Sequence, residues 1–316
     1  MTVFGPVPSR RLGRSLGINN IPAKICTYSC IYCQLGRTIK MQANRQAFYK
    51  PKHVFKEVKE KINKARKKGE TIDYLTFVPD GEPTLDINLG KEIELLKYLG
   101  IKIVVITNAS LLHREGVKED LAKADLISFK VDAVSEGIWH QINRPYGLLK
   151  LPEILKEILE FSKTYNCKII TETMLIDGIN DKEEEINNIV KFLERLNPNK
   201  AFVSIPTRPP AERWVKPARE RAINMAYQVF SVILGEDNVE CLTGYEGSGF
   251  AFTGNVEEDL LSITSVHPMR AEAVDEFLRK AGTDWNLVEN LIKEEKLIEL
   301  DYCKHKFYMR KLLGRR

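Results

Sequence analysis

Cysteine is scarce in this chain, six in 316 residues, and three of the six fall within eight positions. The other three, Cys167, Cys241 and Cys303, lie far apart, which excludes a disulfide framework and a second sequence-local metal motif. Each of them reads as a small core residue. No stretch approaches the roughly eighteen apolar residues of a membrane helix, and residues 1–20 lack a signal-peptide core. The expected location is the cytoplasm, with no membrane partner. Acid is missing altogether from residues 1–56, which hold ten Lys and Arg, and residues 301–316 set six bases against Asp301 alone. The net charge is only +5, so the stretch between these ends is acidic and the basic character is confined to the termini. Basic ends attract polyanions, which makes nucleic acid a candidate partner; the competing reading is that the bases solvate the surface or balance an anionic cofactor.

What the chain does have is Cys26-Thr27-Tyr28-Ser29-Cys30-Ile31-Tyr32-Cys33, bracketed by Pro22 and Gly36. Soft thiolates at this close spacing suit an iron–sulfur cluster or a zinc ion. Three cysteines leave a four-iron cluster one ligand short, and the iron without a protein ligand is free to bind a substrate or cofactor. A tetrahedral zinc site and a plain helix face, whose periodicity the offsets of four and three also match, are the alternatives.

Beyond this stretch the pattern alternates. Pro51 followed by Val54, Val58 and Ile62 predicts a helix over 51–68, and a β-rich run predicts a buried strand over 74–78 that ends in Pro79-Asp80-Gly81-Glu82-Pro83-Thr84. Strands over 101–107, 126–131, 168–175 and 201–205 follow, interleaved with helices over 92–98, 117–122, 151–165 and 182–196. Alternation of this kind implies an α/β chain with a parallel sheet, closed or partly closed into a barrel. Active residues of such barrels sit at the carboxyl ends of the strands, which selects Thr107 and Asn108, Lys130 and Asp132, Thr173 and Arg208. The Gly- and Pro-rich opening over 5–19 reads as a loop and short strand that brings Arg10, Arg11 and Arg14 toward the cysteines, either to hold an anionic substrate or to pack on acidic helices. Arg144 and Trp214 fall on loops at the same mouth, and a helix over 216–234 covers the open edge of the sheet. Gly244, Gly247, Gly249 and Gly254 then mark a connecting segment, 236–256, between a first domain, 1–235, and a second, 257–316. Helical patterns at 257–261, 269–281 and 285–293, followed by strands at 297–302 and 306–310, read as a winged helix with Lys304, Lys306 and Arg310 on its wing.

The cysteine pattern, with aromatic Tyr32 before its last member, resembles the signature of the radical S-adenosylmethionine (radical SAM) superfamily, and Gly81-Glu82-Pro83 resembles the end of that family's Gly-Gly-Glu-Pro motif, with Asp80 in place of the first glycine. The resemblance implies a partial (β/α)6 TIM-like barrel over residues 1–235, a [4Fe-4S] cluster on Cys26, Cys30 and Cys33, and SAM chelated by the open iron. In that family an electron from a reducing donor cleaves SAM to a 5′-deoxyadenosyl radical. It also implies that Tyr32 lies near the adenine, that Gly81, Glu82 and Pro83 bind the SAM amino group, and that the strand ends carrying Thr107, Asn108 and Lys130 touch its ribose and carboxylate; Thr173, at the next strand end, is a further cofactor-binding candidate. Asp132, Cys241 and Tyr245 are then the catalytic candidates: Asp132 faces substrate, and Cys241 or Tyr245 supplies a hydrogen atom or proton to a radical intermediate. Residues 8–13 and 33–37 most resemble the wyosine-synthase-like Fe-S oxidoreductases, whose named activity acts on tRNA; those tRNA enzymes carry a further set of cysteines upstream, and residues 1–25 contain none. The expected reaction is hydrogen abstraction from an unidentified substrate, for which RNA leads on account of the basic ends and a peptide or protein held by the winged helix is the alternative. A zinc-binding winged-helix regulator is the non-enzymatic alternative.

Overall fold

A hairpin opens the sheet. In the computed structural model, which describes residues 2–311, β1 (Val3–Ser9) runs antiparallel to β2 (Gly13–Ile18). The cysteine stretch comes next, framed by two short strands, β3 (Ile25–Cys26) and β4 (Lys40–Met41), that pair in parallel. Then the alternation sets in: α1 (Pro51–Lys67), β5 (Tyr74–Phe77), α2 (Leu89–Lys97), β6 (Lys102–Thr107), α3 (Val117–Leu121), β7 (Leu126–Lys130), α4 (Glu136–Asn143), α5 (Leu151–Thr164), β8 (Lys168–Met174), α6 (Glu183–Leu196), β9 (Lys200–Ser204), α7 (Glu220–Leu234) and β10 (Val239–Leu242). The sheet order is β1-β2-β5-β6-β7-β8-β9-β10, parallel throughout after the hairpin and with its two ends unpaired to each other. It is a half-barrel, as the alternation predicts, with two more strands than the six expected. Helix α1 shows the local logic: Pro51 pre-sets the first turn, Val54, Val58 and Ile62 bury one stripe, and Lys64, Arg66 and Lys67 face the negative end of the helix dipole.

The added strands have physical reasons. Gly5 and Gly17 look like turn residues in the sequence, yet Gly17 lies beneath the ring of Phe4, where a Cβ would stand 1.9 Å from Phe4 Cζ, and Gly5 sits at a register irregularity of β1. Gly17→Ala should therefore cost about 1–3 kcal/mol by overpacking. A thermal midpoint equal to that of the parent chain would show that the ring moves aside freely. β10 is only four residues long, and it occupies the sheet edge that helix 216–234 was expected to cover; α7 instead packs on α6 and the last two strands.

The C-terminal part comprises α8 (Val256–Val266), β11 (Met269–Arg270), α9 (Ala271–Ala281), α10 (Asn286–Lys293), β12 (Leu297–Tyr302) and β13 (His305–Arg310), with the strands in the order β11-β13-β12. Phe250, Leu260, Ile263, Phe277 and Leu297 build a core that also takes in Phe4 and Val7 of β1 and Leu35 of the cysteine loop. Polar ties reinforce the joint: Lys61 pairs with Asp259 at 2.6 Å, and Tyr302 Oη donates to the Pro206 carbonyl at 2.9 Å. The C-terminal part thus closes over the hairpin and the cysteines. Among the described residues no helix is long and apolar enough to cross a membrane.

Much of the basic excess at the amino end is neutralised internally. Arg11 pairs with Glu172, Arg14 with Glu70, Arg37 with Glu212 and Arg45 with Asp120. On the β12–β13 hairpin Lys306 pairs with Glu299, while Arg315 and Arg316 lie outside the described residues.

Candidate cofactor site

The cysteine loop is held from two sides. The Ser29 and Ile31 amides donate to the carbonyls of Asn143 and Ile142 at 3.0 and 2.9 Å, and the Tyr146 amide donates to the Thr27 carbonyl at 2.8 Å, so the end of α4 and the chain after it grip the loop. From the turn after β6 the Asn108 side-chain amide and the Ser110 hydroxyl each reach the Thr27 hydroxyl at 2.8 Å. Successive turns, Cys33 N to Cys30 O and Gly36 N to Cys33 O, wind the loop, and Gly36 takes a φ of 85° that favours glycine. Cys26, Cys30 and Cys33 thereby line one cavity of about 170 Å³. Asn143 Nδ2 stands 3.4 Å from Cys30 Sγ, and Asn108 Nδ2 stands 3.9 Å from Cys26 Sγ. Loss of water around the thiols, with the Asp132 charge adding to it, pushes Cys30 up to about 12. A thiol raised in this way loses its proton readily only beside a compensating cationic centre. No three His, Cys, Asp or Glu side chains among the described residues converge on a single ion. Three soft thiols lining one cavity are a donor set that fits an iron–sulfur cluster.

The strand-end turn after β5 forms the facing wall. Gly81 bridges Ile25 in parallel, and a Cβ on it would stand 1.8 Å from the Ile25 carbonyl oxygen, so the close approach requires glycine. Asp80, which departs from the family pattern, pairs with Lys24 at 3.3 Å, both buried. Glu82 is buried too: one oxygen accepts from Thr107 Oγ1 at 2.6 Å and Thr84 Oγ1 at 2.7 Å, the other from the Asn108 amide at 2.8 Å. Burial raises its pKa and these hydrogen bonds oppose the rise. It has donors but no ion-pair partner among the described residues, an arrangement suited to an ammonium group. Pro83 opens the short turn that follows and lines no part of the cavity.

Tyr32, Lys130 and Asp132 meet at the next strand end. The Tyr32 hydroxyl donates to Asp132, which also accepts from Asn143 Nδ2 at 2.9 Å and the Met174 amide at 3.0 Å. Lys130 lies 5.1 Å from the centre of the Tyr32 ring. Behind them Thr173 donates to the Val131 carbonyl at 2.8 Å, tying β8 to β7.

A second cavity, about 320 Å³, adjoins the first, and Tyr32, Cys33 and Lys130 line both. Arg10 and Arg11 reach it as expected, whereas Arg14 turns away to Glu70. Cys241 packs with the main core and Tyr245 with the second core, under Arg270; neither lines either cavity. Arg144 ends α4 in the left-handed conformation and pairs with Glu212, beside Arg37, instead of reaching over a substrate; Trp214 is exposed. Sequence reasoning missed Asn143, Glu172, Glu246 and His267. Glu172 had a signal, a lone charge inside an otherwise buried strand; the others come together only through the tertiary fold.

Comparison with known proteins agrees with this geometry. Residues 20–193 match the family model described as the radical SAM superfamily. A relative from Methanocaldococcus jannaschii, UPF0026 protein MJ1312, is 49% identical over 316 residues, spanning all of this chain and 98% of that one. Among solved structures, TYW1 with a lysine–pyruvate adduct bound has a TM-score of 0.55 at 18% identity, covering 69% of this chain and 73% of that one. Streptococcus suis SuiB bound to S-adenosylmethionine has a TM-score of 0.53 at 16% identity, covering 71% and 49%. At these identities the two structures speak for the fold alone. The family match runs from just before the cysteine loop into α6, more than half of the chain, and on that ground the chain belongs to the radical SAM superfamily, enzymes that use a [4Fe-4S] cluster and SAM and need a reductant and a substrate.

Proposed function

We propose that Cys26, Cys30 and Cys33 hold a [4Fe-4S] cluster, that SAM binds in the cavity they share with Glu82, and that a substrate occupies the adjoining cavity. One observation supports this most directly: the three cysteines and Glu82 line a single cavity, and that cavity shares a wall with a larger one. A cluster held by these three cysteines would supply one-electron reductive cleavage of bound SAM, with methionine as the released fragment, and through it hydrogen abstraction from the substrate. The chain's own residues position the parts. Glu82, fixed by Thr84, Thr107 and Asn108, receives the SAM amino group, and Gly81 lets the turn close on Ile25. Lys130 suits the SAM carboxylate, and Tyr32, held by Asp132, offers its ring to the adenine. Thr173 and Asp132 act in this reading by fixing their neighbours. Residues 1–235 carry the chemistry, and the described residues from 257 onward, read as a winged-helix-like unit, close the mouth.

Glu82→Gln should weaken SAM binding by about tenfold or more, the worth of a charge-assisted hydrogen bond, while iron and sulfide content stay as in the parent. Equal affinity for SAM would remove Glu82 from the site. RNA is the substrate class the basic ends suggest, and the internal pairing of Arg11, Arg14, Arg37 and Arg45 weakens that argument. Release of 5′-deoxyadenosine by the reduced protein, with and without small RNA or a peptide fraction, separates the substrate classes; stimulation abolished by ribonuclease would restore RNA to the lead.

A further inference from the structure

The larger cavity carries an unbalanced charge. Its wall holds four cations, Arg10, Arg11, Lys130 and Arg208, against two carboxylates, Glu172 and Glu246. Pairing uses up all but one. Arg11 bonds to Glu172 and Arg208 to Glu246, and Lys130 stands 3.4 Å from Glu172 and 3.7 Å from Asp132 behind the wall. His267 adds no charge at neutral pH, because burial and the Arg208 cation hold it down at about 4 against the pull of Glu246. Arg10 is left over. Its Nη1 donates to the Gly244 carbonyl at 2.6 Å, and it makes no ion pair among the described residues.

A half-buried guanidinium without a carboxylate is held at a cost, and burial draws its pKa down in spite of Glu246 and Glu172 nearby. An oxyanion in the cavity offsets that cost, and the planar fork of Arg10 offers it parallel donors. Much of the remaining wall is apolar, with Phe4, Val78, Ile106, Met174 and Leu242, and the neutral polar side chains Gln34, Thr76 and Ser204 lie among them. Its volume, about 320 Å³, is at the small end of metabolite pockets. We infer that the substrate is a small acid, a carboxylate or a phosphate with an apolar body, whose oxyanion is bound by Arg10; this rests on the radical SAM reading of the neighbouring cavity.

Calorimetric titration of the anaerobic, cluster-loaded, full-length protein with inorganic phosphate and with butyrate tests the inference, and the two probes distinguish the phosphate from the carboxylate. One of them should bind saturably in the millimolar range. Arg10→Gln should weaken that binding about tenfold or more, Arg10→Lys less, and Arg14→Gln, whose charge belongs to Glu70, should leave it unchanged. No saturable binding to the parent protein, or equal binding to Arg10→Gln, overturns the inference. Should Arg10→Gln fail to fold, phenylglyoxal labelling of Arg10 in the parent protein decides: either probe should slow it, and equal rates overturn the inference. Release of 5′-deoxyadenosine without binding of either probe would sink this inference and leave the radical reading intact. Binding without any release would do the reverse.

Discussion

Cys30→Ala protein, purified without oxygen, is expected to carry no iron–sulfur absorbance and to release no 5′-deoxyadenosine. The effect should be complete because the cavity holds three cysteines and no spare. Cys167 and Cys241 pack against the main core, and Cys303 lies exposed in the turn between β12 and β13, so none is placed to take over the ligand. Removing the thiol should leave the fold standing. The loop is fixed by backbone bonds from Ser29, Ile31 and Tyr146 and by Thr27, none of which involves the Cys30 side chain. Loss of absorbance with an unchanged circular dichroism spectrum is therefore the expected pair of observations. Retained absorbance and iron would contradict the ligand assignment outright.

The largest loss of stability should come from Lys24→Met. Lys24 and Asp80 form a buried pair, and removing one partner of such a pair costs about 3–5 kcal/mol because the other charge stays behind. Asp80→Gly restores the family's glycine and should still destabilise, for it leaves the Lys24 ammonium behind. The double variant Lys24→Met, Asp80→Gly should recover most of the loss, which denaturant titration of the four proteins measures as a coupling energy. If the two single losses simply add, the pair is not the reason for the aspartate.

The parts of the site that lie close together in sequence were legible there. Three thiolates within eight residues state their chemistry locally, and Gly81-Glu82 follows a strand whose apolar run is plain. Partners supplied by tertiary structure were not. Asn143 reaches Cys30 from the end of α4, a helix too short to show a period, and Glu246 and His267 meet Arg208 from separate segments. Arginines misled where reach decides: Arg14 and Arg144 find carboxylates at Glu70 and Glu212 before they find the cavities. Burial of polar residues misled in α8, where Ser262 and Thr264 are covered and the helix runs on past residue 261 to Val266. Glycine misled in the hairpin, where Gly17 makes room for a ring and marks no turn.

The shared core of Phe4, Val7 and Leu35 with residues from 250 onward has a consequence for biosynthesis. Strand β1 is covered by helices α8, α9 and α10, which lie far away in the sequence, and so long a separation is slow to close. Until Val256 and its successors emerge, one face of β1 and the Leu35 side of the cysteine loop stay open to water. A nascent chain therefore has the Leu35 side of its cysteine loop uncovered until the segment from Val256 onward packs against it.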